Sequence, residues 1–207
     1  MLRLLVVGTL AFALSLPAIV EAKRRSSPAC TTKTAKTLVA TKGARVFKQR
    51  GRIYACLYRP GRSFQIGGRN SSRGTTDVAN LRLAGRYVAY SKNGPGGITL
   101  VSRELRRGIV ARDVPAAVAT TPGLTAITDL SLRTNGSLAW IAKRTRIDGP
   151  LSPYAISVVP DYQVRKSDRS GEALLDAGSG VVPGSLSLLR GTVSWMKGDD
   201  TYSAALD

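Results

Sequence analysis

One short unit recurs along this chain: an alternating apolar run, a glycine turn, a second run ending in a small residue plus an aromatic ring, and, after a loop, a third apolar run. The clearest copies are three. The first of them reads Leu81-Arg82-Leu83, Gly85, Arg86-Tyr87-Val88-Ala89-Tyr90, then Ile98 to Val101. The next reads Leu130-Ser131-Leu132, Asn135-Gly136, Ser137-Leu138-Ala139-Trp140, then Ala155 to Val159, and the last Leu186-Ser187-Leu188, Gly191, Thr192-Val193-Ser194-Trp195, then Tyr202 to Leu206. A more worn copy precedes them, with Ala44 to Phe47, Gly51, Arg52 to Cys56 and Phe64 to Ile66, and Cys56 stands in it where the others carry a ring.

Period-two alternation around a glycine turn is the pattern of a β-hairpin with one buried face. A single hairpin leaves that face in water, whereas like hairpins stacked in series cover one another. The turn glycines Gly51, Gly85, Gly136 and Gly191 are 34, 51 and 55 residues apart, close to the roughly 40 to 50 residues of a four-stranded propeller blade. The expected fold is therefore all-β: antiparallel four-stranded blade-like repeats, about four units, propeller-like, as a closed ring or an open arc. A five-bladed ring with one degenerate unit and a β-sandwich also fit the pattern. Fourth strands are weaker: Gly108 to Arg112 in the second unit, and Val164 to Ser167 or Ala173 to Asp176 in the third. The fourth unit ends without one, and Thr37 to Thr41 is expected to pair there and join the two ends of the chain. Tyr90, Trp140 and Trp195 are expected to pack between units rather than to face a ligand.

Leu4 to Val20 is almost continuously apolar, follows Arg3 and precedes Val20-Glu21-Ala22 and a Lys-Arg-Arg stretch, the layout of a secretory signal peptide. At the short end of a bilayer span and broken by Pro17, the run fits an uncleaved anchor less well. The domains expected are residues 1–22 as signal peptide, 23–36 as N-terminal extension and 37–207 as the repeat domain. Export makes Cys30 and Cys56, the only cysteines, an expected disulfide; the alternative is a buried free Cys56 and a loose Cys30.

The chain has no histidine, which removes Ser-His-Asp and Cys-His catalysis. Two cysteines without histidine do not complete a zinc site without carboxylates, and Gly94-Pro95-Gly96-Gly97 lacks the Lys-Ser/Thr ending of a phosphate loop. Asp129, Asp148, Asp161, Asp168, Glu172 and Asp176 are available for glycoside hydrolysis, but none sits in a local signature. No catalytic, cofactor or metal residue is assigned.

The formal charge of +18 is unevenly spread: residues 23–112 hold 21 Lys/Arg against Asp77 and Glu104, and residues 113–207 hold 9 against 10 acids. Arginine supplies 22 of the 31 basic residues, and its planar fork suits phosphate and carboxylate. The candidate polyanion-binding residues are Arg45, Lys48, Arg50, Arg52, Arg59, Arg62, Arg69 and Arg73.

With its leader, early cysteine pair and recurring G-R-Y-V-A-Y, G-S-L-A-W and G-T-V-S-W units, the chain resembles the small secreted propeller-like proteins of actinobacteria. It is more distantly similar to TolB-type and WD-repeat propellers, without their Trp-Asp dipeptide. The resemblance implies a propeller architecture and an extracytoplasmic address, and no catalytic residue. The expected function is that of a secreted, non-catalytic interaction module, its partner an anionic envelope polymer or a protein. The alternatives are a binder of anionic envelope polymer or nucleic acid through the basic half, and a carboxylate-dependent hydrolase. No small-molecule cofactor and no membrane span after signal cleavage are expected.

Overall fold

The computed structural model describes residues 28–70, 74–94, 97–116, 124–148 and 157–207. The expected signal peptide lies outside them. Strands and turns make up the described chain, which contains no helix.

Sixteen strands form four antiparallel sheets, each a meander in chain order. The first sheet is β1 (Lys36–Ala40), β2 (Ala44–Gln49), β3 (Arg52–Leu57), β4 (Ser63–Asn70) and β5 (Gly74–Thr76). The second is β6 (Val78–Ala84), β7 (Tyr87–Gly94), β8 (Gly97–Glu104) and β9 (Ile109–Pro115). The third is β10 (Leu124–Leu132), β11 (Leu138–Asp148), β12 (Ser157–Asp168) and β13 (Gly171–Gly178). The fourth has three strands, β14 (Ser187–Leu189), β15 (Thr192–Lys197) and β16 (Asp200–Ala205).

Gly85, Gly136 and Gly191 sit in the hairpin between the first two strands of their sheets, whereas Gly51 joins the second and third strands, β2 and β3, of the first sheet. Gly51, Gly85, Gly136 and Gly191 all have positive φ, between 55° and 91°, the region that costs an L side chain most. At Gly136 the requirement is doubled, because a Cβ there would stand 2.8 Å from the Tyr87 ring.

The rings answer to one rule. Tyr90, Trp140 and Trp195 lie on the second strand of their units, are at most 4% exposed, and each faces the sheet before its own. Tyr90 packs with Ala44, Val46 and Ala55 of the first sheet. Trp140 packs with Ala89, Leu100 and Val114 of the second, and Trp195 with Ala139, Ile141 and Val164 of the third. Both indole N–H groups have acceptors: Trp140 Nε1 donates to the Ala116 carbonyl at 2.7 Å and Trp195 Nε1 to Asp176 Oδ2 at 3.0 Å. A buried, hydrogen-bonded indole is a packing element, as expected.

Among the described residues no sheet precedes the first; there Phe47 stands on the second strand, and beside it on the third strand is Cys56. It is bonded to Cys30 (S–S 2.02 Å) and buried with Phe47 and Tyr54, whose rings stack at 5.5 Å between centroids. The strap around Cys30 is tied down further by Ser63 Oγ donating to the Pro28 carbonyl and Arg45 Nη2 donating to the Thr32 carbonyl. The disulfide thus covers the face that a neighbouring sheet covers in every other unit.

Two expectations are corrected. Thr37 to Thr41 does not join the last unit: β1 pairs with β2, Val39 opposite Val46. The cause is local, since Thr41 closes a tight turn onto the Ala44 carbonyl at 2.8 Å and the strap holds the preceding residues on the first sheet. The worn first copy is offset by one strand, because β1 takes the first place in its sheet, leaving Gly51 between the second and third strands and Cys56 on the third. Of the two candidates for the third unit's fourth strand, Ala173 to Asp176 forms it, within β13, and Val164 to Ser167 is the end of the twelve-residue β12. Among the described residues no core cluster and no strand pairing joins the first and fourth sheets.

Two outcomes test this packing. Trp140→Ala is expected to lower unfolding free energy by about 3–5 kcal/mol in urea titrations, while Tyr58→Ala, on the exposed β3–β4 loop, stays near wild type. Reduction of Cys30–Cys56 is expected to cost about 3 kcal/mol.

Candidate anion-binding rim

In an antiparallel meander the turns joining the first to the second and the third to the fourth strands emerge at one end, and all other connections at the opposite end. Contacts between sheets place the first-class ends together for the second, third and fourth units. Gly85 lies against Thr134, and Ser102 Oγ donates to the Gly136 carbonyl at 2.8 Å. Arg133 reaches Gly191 and donates to the Leu206 carbonyl, and Asp207 N donates to Asp168 Oδ2 at 3.3 Å.

These turns are built from arginine. Gly85-Arg86 joins β6 to β7, Arg133 opens the β10–β11 turn and Arg190-Gly191 joins β14 to β15. The second set adds Arg106-Arg107-Gly108 between β8 and β9 and Arg169 between β12 and β13. In the first sheet this end is the β3–β4 loop with Arg59 and Arg62, since Gly108 lies against the Phe64 ring, whereas Arg50-Gly51, between the second and third strands, is at the opposite end. Arg106, Arg107, Arg169 and Arg190 are exposed, and none makes an ion pair among the described residues. Of the acids at this end, Glu104 and Asp168 are buried against Arg86 (3.5 Å) and Lys166 (2.7 Å); Glu172 and the C-terminal Asp207 are exposed. Arg165, buried in β12, donates to Gln163 Oε1 at 3.4 Å and has no carboxylate partner among the described residues, which adds to the positive potential beneath the rim.

Arg86, Tyr87, Glu104, Arg106, Arg107 and Ile109 line a cavity of about 270 Å³ in the second sheet. It is smaller than the roughly 300–1,000 Å³ of typical small-molecule sites, so its size suits one anionic group. Arg86 lies 5.6 Å from the Tyr87 ring centroid, which fixes one wall.

The residues singled out from sequence do not form one patch. Lys48 and Arg50 are exposed and Arg52 half-buried at the β2–β3 end, whereas Arg59 and Arg62 are exposed in the opposite loop, separated from them by the length of β3. Arg62 lines a second cavity, about 540 Å³, with Ala29, Pro60, Gly61, Ser63 and Phe64. Arg45 is committed to structure: it binds Thr37 Oγ1 and the Thr32 carbonyl and lies 4.6 Å over the Phe47 ring. Arg69 is in β4, and Arg73 lies outside the described residues. Arg86, Arg106, Arg107, Arg169 and Arg190 escaped the sequence reading, although an arginine beside nearly every turn glycine was the available signal.

The carboxylates considered for hydrolysis are dispersed. Asp129 accepts from Gly184 N at 2.8 Å and Thr128 Oγ1 at 2.9 Å. Asp168 accepts from Lys166 and Ser170 N, and Asp176 from Lys197 and Trp195. Asp161 is half-buried in β12 opposite Arg144, Glu172 is exposed on β13, and Asp148 ends β11. Burial alone would raise Asp168 and Asp176, but the hydrogen bonds and charges of Lys166 and Lys197 outweigh it and hold both below the ordinary aspartate range. Among the described residues no three of His, Cys, Asp and Glu cluster as metal ligands.

No known protein family and no curated protein matches the chain, so the functional reading rests on its own residues.

A carboxylate held low in the folded state contributes stability that is present above its unfolded pKa and is lost as pH falls through the folded value. The thermal midpoint is therefore expected to stay level from pH 7 to about 5 and to drop below about pH 4. Asp176→Asn is expected to lower the midpoint at pH 7 and to flatten the acid limb, read by scanning calorimetry.

Proposed function

We propose that this protein is a secreted, non-catalytic interaction module whose four sheets form the blades of an open, propeller-like arc. Its ligand in this reading is an anionic polymer, held by the arginines of the turn rim. The disulfide supports the extracytoplasmic address, and the engagement of Asp129, Asp168 and Asp176 in internal hydrogen bonds argues for a non-catalytic role.

The observation that carries the reading is backbone strain. Arg50 and Arg190 have φ of 49° and 50°, each followed by a positive-φ glycine, so both fill the first central position of a type I′ hairpin turn. Asn, Asp or Gly takes that position at little cost, whereas the left-handed region costs other L residues about 1–2 kcal/mol. At the rim Arg190 carries this strain with an exposed, unpaired guanidinium, and Arg50 carries it at the opposite end of the first sheet. Strain of this kind collects where a side chain has work to do outside the fold. Four exposed rim arginines, Arg106, Arg107, Arg169 and Arg190, also supply the dense, low-counterion charge that draws polyanions from solution.

The test separates stability from binding. Arg190→Asn and Arg50→Asn are each expected to raise unfolding free energy by up to about 1 kcal/mol, but only Arg190→Asn, at the rim, to lower the salt needed to elute the protein from heparin. Arg106→Gln with Arg107→Gln is expected to reduce the salt slope of binding by about one per arginine, and Arg50→Gln to leave it unchanged. Negligible retention of the wild type at low salt would overturn the polyanion reading.

A further inference from the structure

The outer strands of the four sheets are not treated alike. The first sheet closes with β5, three residues long. The second closes with β9, which carries Arg112, Asp113 and Pro115 and a register shift opposite Ser102/Arg103. The third closes with β13, which carries Glu172 and Asp176 and a shift opposite Val164/Arg165. Shortness, charge, proline and bulges are the devices by which exposed edges are kept from pairing with other chains. Among the described residues the fourth sheet has three strands, and its edge, β16, has none of these in its body: Asp-Thr-Tyr-Ser-Ala-Ala, six residues in unbroken register with β15, charged only at Asp200 where it begins.

The turn sets which backbone groups are open. Gly198 and Asp199 close the hairpin at Lys197↔Asp200, so Asp200, Tyr202 and Ala204 exchange hydrogen bonds with β15, and Thr201, Ser203 and Ala205 point theirs outward. The same phase continues past the strand, where Leu206 N donates to the Gly191 carbonyl at 2.8 Å. Lys166 Nζ takes the Ala205 carbonyl at 3.0 Å, which leaves Thr201 and Ser203 with both groups open to solvent.

The adjoining sheet surface is equally unusual for a chain of formal charge +18. Register places Thr201, Ser203 and Ala205 on one face with Met196, Ser194 and Thr192 and with Ser187 and Leu189. Leu189 is 73% and Met196 39% exposed, and none of these eight residues is charged.

We propose that β16 pairs antiparallel with β16 of a second copy of this chain, joining two three-stranded sheets into one six-stranded sheet about a twofold axis. Antiparallel pairing is what twofold symmetry demands of identical edges. It also matches charge: the strand begins at the acidic Asp199-Asp200 turn, and its far end lies beside Arg190, since Leu206 bonds to Gly191. Each acidic turn therefore meets the basic end of the other copy. The strap at Cys30, bound to the first sheet, is not free to fill this edge.

Sedimentation velocity on the wild type, without polyanion, reads the proposal. The expected result is a mass that rises to twice the monomer with concentration. Ser203→Pro deletes one outward N–H and leaves the β15 bonds intact; it is expected to weaken association at least about tenfold with an unchanged melting midpoint. Ser203→Lys, which sets like charges near the axis, is expected to do the same if the proline variant does not fold. A wild type that stays monomeric throughout, or a dimer that survives in the folded Ser203 variants, would overturn the proposal.

Discussion

The fold depends on one repeated contact: a large ring on the second strand of a unit, turned back onto the sheet before it. Tyr90, Trp140 and Trp195 each link two sheets that share no strand pairing. A short antiparallel sheet with one solvated face is marginal by itself, so the rings make the row cooperative. Among the described residues no sheet lies behind the first, and there the Cys30 strap, bonded to Cys56 on the third strand, packs with Phe47 of the second. The outward face of the fourth sheet carries small polar and apolar residues.

Stacking in this way also decides where charge gathers. Because every unit is a meander, the short turns of the second, third and fourth units arrive beside one another, and what those turns contain becomes one surface. Arginine in a turn is unremarkable once. Here it flanks Gly85, Gly108 and Gly191, and at Arg190 it sits in left-handed backbone. The acids that would cancel it, Glu104 and Asp168, are drawn inward and engaged by Arg86 and Lys166.

The repeat, the turn glycines, the ring positions and the pairing of Cys30 with Cys56 were legible in the sequence because each is fixed by local rules: alternation, positive φ, and a two-thiol count. The destination of Thr37 to Thr41 was not, since an alternating strand pairs with any open edge and only the tight Thr41–Ala44 turn selects β2. Sequence left Val164 to Ser167 and Ala173 to Asp176 as alternatives for the third unit's fourth strand for a like reason, because the former continues one long strand with no glycine to mark a break. The basic site was half legible. Charge counted along the chain pointed to its first half, but adjacency in the fold runs across units, grouping Arg169 and Arg190 with Arg86 and parting Arg59 and Arg62 from Arg50.

Hydrogen–deuterium exchange with and without a polyanion such as heparin or polyphosphate tests the central claim most directly. The account predicts protection confined to the turns around Arg86, Arg106-Arg107, Arg133, Arg169 and Arg190 and the adjoining loop with Arg59 and Arg62. Protection confined to the opposite loops, around Arg50 and Gly198, or no change anywhere at low ionic strength, would contradict it.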